Sequence, residues 1–176
     1  VRAYSVVPAT IVSQDAGVGW TFEVIDPDGP VGLGLLREYY TDIVARYWGR
    51  PTNDAEVDQV LVEEPSGDLV PPTGLFLAAR YDGDLGGCAG FRVLSPAIAE
   101  VTRVFLRPSL RGRGGGVALL TELERAAVGI GLTTARLDVR KDLTEARRLY
   151  ERHGYVEIPA YNSAQYADHW FEKRLV

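Results

Sequence analysis

A chain of 176 residues is long enough for one domain with its own core, since about 150 residues already bury roughly 70% of their unfolded surface. Its 46% hydrophobic and 24% charged residues exclude global disorder, and no apolar run approaches the roughly 20 residues that cross a bilayer. The net charge of -5 is uneven: residues 1–90 carry 5 basic and 14 acidic side chains, residues 91–176 carry 14 and 10, so a polyanionic ligand favours the second half and a cationic one the first.

Residues 1–19 show weak strand character around Val6-Val7 and Ile11-Val12, and the expectation is an N-terminal arm or an extra edge strand, with a single domain over residues 20–176. The arm is also a candidate dimerisation element. It lacks the basic start and long apolar core of a secretory signal, so a cytoplasmic protein is expected. Residues 20–25 alternate as a strand, and Asp26-Pro27-Asp28-Gly29-Pro30 ends it. Over residues 31–48, Leu36, Tyr39, Tyr40, Ile43, Tyr47 and Trp48 recur at helical spacing. Thr52-Asn53-Asp54 supplies capping chemistry for a short second helix with Val57, Val60 and Leu61 inside.

Three strand-like runs follow at 75–81, 85–94 and 98–106, and Asp82-Gly83-Asp84 between the first two predicts a tight hairpin and an antiparallel meander. A glycine-rich loop then opens a long helix with Gly116, Leu120, Leu123, Ala127 and Ile130 on one face. Residues 134–140 alternate again, Thr144 is placed to cap a helix that runs to His153, and Gly154 stops it before Tyr155-Val156. A last strand over 170–175 is expected to close the sheet. Cys88, the only cysteine, excludes an intrachain disulfide, and the two histidines lack ligand spacing, so no metal is expected.

The loop Arg111-Gly112-Arg113-Gly114-Gly115-Gly116 carries the clearest chemistry. A diphosphate needs converging donors, and the free N–H groups at a helix start supply them along with the positive end of the helix dipole. Glycines let the backbone approach, while Arg107, Arg111 and Arg113 add charge. A tight turn without a ligand is the plain alternative. The position after a meander fits a Rossmann dinucleotide site poorly, and the absence of a G-K-S/T ending excludes a Walker loop.

Arg111, Gly114 and Gly116 match the signature R/Q-x-x-G-x-G/A, residues 99–108 resemble the strand before it, and residues 146–155 resemble the later A-x-x-L/F-Y segment. In these motifs the chain resembles the GNAT superfamily of acyl-CoA-dependent N-acyltransferases. The resemblance covers residues 20–176 by element order and is strongest over 100–155. It implies an α/β (α+β) fold with a mixed, mostly antiparallel sheet of six to seven strands flanked by about four helices. Acetyl-CoA is the implied cosubstrate, and a primary amine of a small molecule or peptide the implied acceptor. Backbone groups of Val104, Phe105 and Leu106 would pair with the pantetheine arm, amides of Arg111, Gly112, Arg113, Gly114, Gly115, Gly116 and Val117 would bind the pyrophosphate, and the thioester would lie between splayed strands at 98–106 and 134–140. Leu143 departs from the pattern, since many members carry there an Asn that hydrogen-bonds the cofactor arm.

Transfer to an amine requires a neutral nucleophile, an oxyanion donor and a proton for the leaving thiolate. Glu100, at the family's spacing before Arg111, is the candidate base; alternation sets it on a face with Thr102, Val104 and Leu106 unless a bulge intervenes, and its structural alternative is an ion pair with an arginine such as Arg103. Tyr150 is the candidate acid by resemblance, with a core aromatic as its alternative, and the oxyanion donor is assigned to the N–H of Val104 or a neighbour. The aromatic residues Tyr39, Tyr40, Tyr47, Trp48, Tyr161 and Tyr166 are candidates for the acceptor pocket. Asp168-His169 reads as a solvated strand start rather than an acid–base pair. A non-catalytic CoA-binding sensor or interaction module is the alternative function, and nucleic acid is not expected as a partner of a chain with acidic total charge.

Overall fold

Continuous apolar runs bury both faces of the central strands, and helices cover both faces. The structure is a computed structural model describing residues 10–11 and 19–176. In chain order its elements are β1 (Thr10–Ile11), β2 (Trp20–Val24), α1 (Pro30–Trp48), α2 (Asp54–Glu63), β3 (Gly74–Tyr81), β4 (Asp84–Ser95), β5 (Ile98–Leu106), a 3-10 turn (Pro108–Leu110), α3 (Gly115–Gly129), β6 (Thr134–Val139), α4 (Thr144–Arg152), β7 (Val156–Ile158) and β8 (His169–Arg174). The strands form one sheet in the order β1-β2-β3-β4-β5-β6-β8-β7, antiparallel except where β5 lies parallel to β6.

The α/β architecture follows the expectation; among the described residues the sheet has eight strands where six to seven were expected, because the short β1 pairs with β2. Apart from those two residues and Gly19, the arm expected over 1–19 lies outside the described residues. The last strand does not close the sheet: β8 inserts between β6 and β7, leaving the three-residue β7 at the edge. No helix among the described residues is long and apolar enough to cross a membrane.

On one face, Leu35 and Leu36 of α1 pack with Leu69, Phe76, Ala78, Cys88 and Phe105. On the other, Leu119, Leu120, Leu123 and Ala127 of α3 and Tyr150 of α4 pack with Phe22, Leu77, Phe91, Val101, Leu137 and Phe171. Pro30 opens α1, and Gly49 ends it in the left-handed conformation. The inward stripe of α1 includes Leu35, while Tyr47 and Trp48 are 48% and 60% exposed, because the last turn overhangs a cleft instead of the sheet. At α4 the cap position falls on Leu143, with no side-chain cap, and Thr144 is already helical.

Candidate active site

Two features of β5 create the site. Its parallel pairing with β6 covers only Ile98 to Thr134, Ala99 to Ala135 and Glu100 to Arg136, after which the strands part and leave a wedge. Its pairing with β4 slips between Cys88–Phe105 and Gly90–Thr102, so β5 carries an extra residue there, and Arg103 takes φ 58°. A left-handed arginine costs roughly 1–2 kcal/mol, and a network offsets it. The buried guanidinium donates to Ser66 Oγ (3.2 Å), Thr102 Oγ1 (3.1 Å) and Glu64 O (3.3 Å) and lies over the Tyr40 ring.

The bulge resolves the face of Glu100. Val101 packs on the α3 side, and beyond the bulge Val104 and Leu106 pack on that same side. Glu100 and Thr102 therefore face the α1 side, opposite Val104 and Leu106. Arg103 turns to Ser66 and Glu64 and is not the ion-pair partner of Glu100; Arg92, its register partner on β4, lies 3.9 Å from the Glu100 carboxylate. That carboxylate side chain is 17% exposed.

A cavity of about 980 Å³ runs along the wedge and joins the predicted residues. Glu100, Val104, Phe105, Leu106, Arg111, Gly112, Gly114, Gly115, Gly116, Val117 and Tyr150 all line it. Glu100 approaches from one face of the sheet and Tyr150 from the other, and only the parting of β5 and β6 lets one cavity reach both. Arg107 N–H donates to Gly86 O on β4, so by antiparallel alternation Phe105 also faces β4 while the amides of Val104 and Leu106 point to the open side.

At the start of α3, Gly114 is the N-cap at φ 76°, and Ala118 N–H closes the first turn on Gly114 O. Among the described residues, the amides of Gly112, Arg113, Gly114, Gly115, Gly116 and Val117 meet no protein acceptor. They form a row of donors at the positive end of a helix dipole. Arg111 leans on the other wall, donating to Leu106 O (3.0 Å) and pairing with Asp42 of α1 at 3.3 Å. Arg107 is held by Glu38 and donates to Leu85 O. Arg113 does not line the cavity: its guanidinium lies 5.2 Å over the Tyr81 ring, and its carbonyl accepts from Trp20 Nε1.

Tyr150 is 6% exposed, with Tyr155 and Phe171 against its ring. Burial, then the nearby Tyr39 and Asp138, push its phenol above the usual value, so it stays protonated at neutral pH. Leu143 lines the cavity with an apolar side chain and packs on the core. Burial likewise pushes the Cys88 thiol up, and Cys88 donates weakly to Arg103 O, a structural residue.

Of the acceptor-pocket candidates, Tyr39, Tyr40, Tyr47, Trp48 and Tyr166 line the cavity, and Tyr161 does not. Tyr47, Trp48 and Tyr166 meet edge to face at the mouth, 5.0 and 5.4 Å between centroids. Asp168 accepts from Lys141 N–H while His169 pairs with Glu157, so the two do not form a dyad. Sequence reasoning missed Asp138, which lines the wedge from β6 and accepts from Asn162; only its phase with Arg136 in the alternation of β6 signals it.

Solved structures share this fold. The PaiA N-acetyltransferase of Thermoplasma acidophilum in complex with coenzyme A aligns with a TM-score of 0.67 at 21% identity, over 88% of this chain and 99% of its own. A GNAT-family acetyltransferase of Staphylococcus aureus aligns at 0.69 and 16% identity, over 89% and 100%. At those identities they establish the fold. The model of the acetyltransferase (GNAT) family matches residues 36–155, and the chain belongs to that family, as an acyltransferase. An uncharacterized N-acetyltransferase of Schizosaccharomyces pombe is 30% identical over 129 residues, 72% of this chain and 76% of its own length. A mycothiol acetyltransferase of Streptomyces coelicolor is 42% identical over 86 residues, 48% of this chain, and the match spans only 28% of that relative.

Proposed function

We propose that the chain is an N-acetyltransferase that moves an acetyl group from acetyl-CoA to a primary amine of a small molecule or peptide, with Glu100 as general base and Tyr150 as general acid. The observation that carries this reading is the row of unpaired amides at the start of α3, in one cavity with the open side of β5. Such a row fits a diphosphate, and the outward amides of Val104 and Leu106 fit the polar groups of an extended arm. Acetyl-CoA would supply the activated acyl carbon as a thioester.

The residues of the chain do the rest. Glu100, beside the point where β5 and β6 part, takes the proton of the amine directly or through a water. The Val104 amide, aimed into the wedge, is the donor for the carbonyl oxygen as charge develops on it. Tyr150, kept protonated by burial, gives its proton to the sulfur that leaves. Exposed aromatic side chains at the mouth, Tyr47, Trp48 and Tyr166, offer the acceptor a surface.

A thiol-release assay across a panel of amines, run beside calorimetry with acetyl-CoA, tests the reading. Turnover with at least one amine is expected; no turnover and no binding would overturn it, and binding without turnover would favour a non-catalytic module. Tyr150→Phe should lower turnover by about 10²-fold or more while acetyl-CoA affinity changes by less than about threefold. Equal turnover would remove Tyr150 from the mechanism.

A further inference from the structure

Where β5 and β6 part, the end of α1 meets both walls of the opening, although α1 packs on one face of the sheet and α3 and α4 on the other. On the β5 side, Asp42 accepts from Arg111, the residue before the row of unpaired amides. On the β6 side, Arg140 donates to Ile43 O at 3.0 Å, and Arg46 in the last turn of α1 pairs with Glu145 in the first turn of α4. A Cβ on Gly116 would lie 2.9 Å from Leu149, so the start of α3 adjoins α4 on the flank that carries Glu145, one helical turn before Leu149. Asp42, Arg46, Arg111 and Glu145 all line the cavity. Asp42 Oδ2 lies 3.3 Å from Arg111 Nη2 and 3.9 Å from Arg46 Nη1. Two guanidinium groups therefore share one anionic oxygen, next to the free amides of a helix start.

We infer that Asp42 Oδ2 marks the seat of a phosphate oxygen, and that Arg46, together with Arg111, binds the diphosphate of the donor as it displaces that carboxylate. The inference rests on the reading of the α3 start as a diphosphate cradle. A guanidinium meets a phosphate through two parallel charge-assisted hydrogen bonds, a better match than the single contact each arginine makes with Asp42. The exchange costs little: the Asp42 side chain is 28% exposed and keeps access to water, and ion pairs at this exposure contribute little by themselves. Glu145 completes the group. Burial opposes ionisation of its carboxyl, and its own backbone amide, the hydrogen bond from Arg46 and the charge of Arg111 outweigh that and lower its pKa. Two arginines and two carboxylates thus form a neutral cluster that keeps both cations on the groove wall, and a polyanion entering the cradle shifts their balance toward itself. Arg46 belongs to no motif of the Gly loop; only the fold brings it there.

Calorimetry with coenzyme A, in the absence of any acceptor, tests it. Arg46→Ala should weaken binding by about tenfold, the loss of one hydrogen bond to a charge. Asp42→Asn, which keeps the shape of the side chain and removes its charge, should strengthen binding by about threefold. The opposite signs are the signature, because if these ion pairs only brace α1, removing either partner weakens binding or leaves it alone. Any pattern other than a loss in Arg46→Ala beside a gain in Asp42→Asn overturns the inference. If Arg46→Ala does not fold, Asp42→Asn decides alone: a gain supports the inference, and an unchanged or weaker affinity overturns it. The two readings fail in different ways. Absence of binding by the unaltered protein removes the cradle and the inference with it, whereas coenzyme A binding that Arg46→Ala leaves intact removes only the role of Arg46.

Discussion

Gly115 sits between the cradle and the core. A Cβ there would lie 2.3 Å from Trp20 Cζ2, whereas one at Gly112 would meet open space. Trp20 cannot give way, since it is 2% exposed, stacks edge-on against Tyr81 at 5.1 Å and donates to Arg113 O at 3.0 Å. Gly115→Ala is therefore expected to cost about 1–3 kcal/mol by overpacking and to shift the first turn of α3. Gly112→Ala meets only the strain of φ 76° and should cost about 1 kcal/mol. Urea unfolding measures both, and calorimetry with acetyl-CoA should show the larger loss of affinity in the Gly115 variant. The sequence motif marks these glycines as places where a ligand approaches. That one of them instead faces a tryptophan of a strand far back in the chain is a tertiary fact, and no local spacing contains it. Arg113 is similar: its charge reads as a phosphate contact, yet Tyr81 takes it.

Helix starts compare two outcomes of the same chemistry. At α2, Asn53 Oδ1 accepts from Glu56 N–H at 3.0 Å and Glu56 accepts from Asn53 N–H at 3.2 Å, a reciprocal box. Hydrogen bonds from Arg50, Thr52 and the Asn53 backbone pull the Glu56 carboxyl down to about 2. Asn53→Ala should cost about 1 kcal/mol, and hydrogen exchange should show the loss concentrated in the first turn of α2. At α4 the expected cap, Thr144, is one residue late, and Asp142, which has cap chemistry, is bound to Arg140 instead. Capping is legible where a side chain is free to reach the backbone, and is lost where a distant partner claims it. Strand bounds were legible to within one residue at β3 and β4 because alternation and the Asp82-Gly83 turn agree. The bulge at Arg103 was open, since its cause is a network reaching back to Ser66 and Glu64. The shift decides whether Val104 and Leu106 share a face with the candidate base.

Across the whole molecule, Glu124 of α3 joins His153 after α4 and Lys173 of β8, at 3.2 and 2.7 Å. Burial opposes ionisation of this carboxyl, and the hydrogen bonds from His153 and Lys173 outweigh it, so its pKa falls below the ordinary 4.5. A depressed carboxylate contributes stability that is present above the unfolded value and lost as pH falls through the folded one. Glu124→Gln should thus lose about 1–3 kcal/mol at pH 7, with the gap from the unaltered protein closing below about pH 4, in unfolding curves taken across that range. The element order and the family motifs made β5 and the Gly loop legible as neighbouring walls of one cavity. The half proposed for the acceptor was legible only in its aromatic residues on α1 and in the loop before β8; Asp138 of β6 was not, because these segments meet only in the folded chain.

The position of β8 has a consequence for how the enzyme comes into being. β6 carries one wall of the wedge, and its far edge is filled along six register pairs by a strand synthesised 30 residues later. Until that strand emerges, the meander, the Gly loop and α3 can already assemble, while β6 has β5 on one side and an open far edge, and the loop bearing Tyr161 and Asn162 has no anchor on Trp170. The half proposed to bind the diphosphate is local in sequence and can mature early; the half proposed to hold the acceptor waits for the last strand, so on the proposed function a nascent chain would acquire its donor site before it could use it.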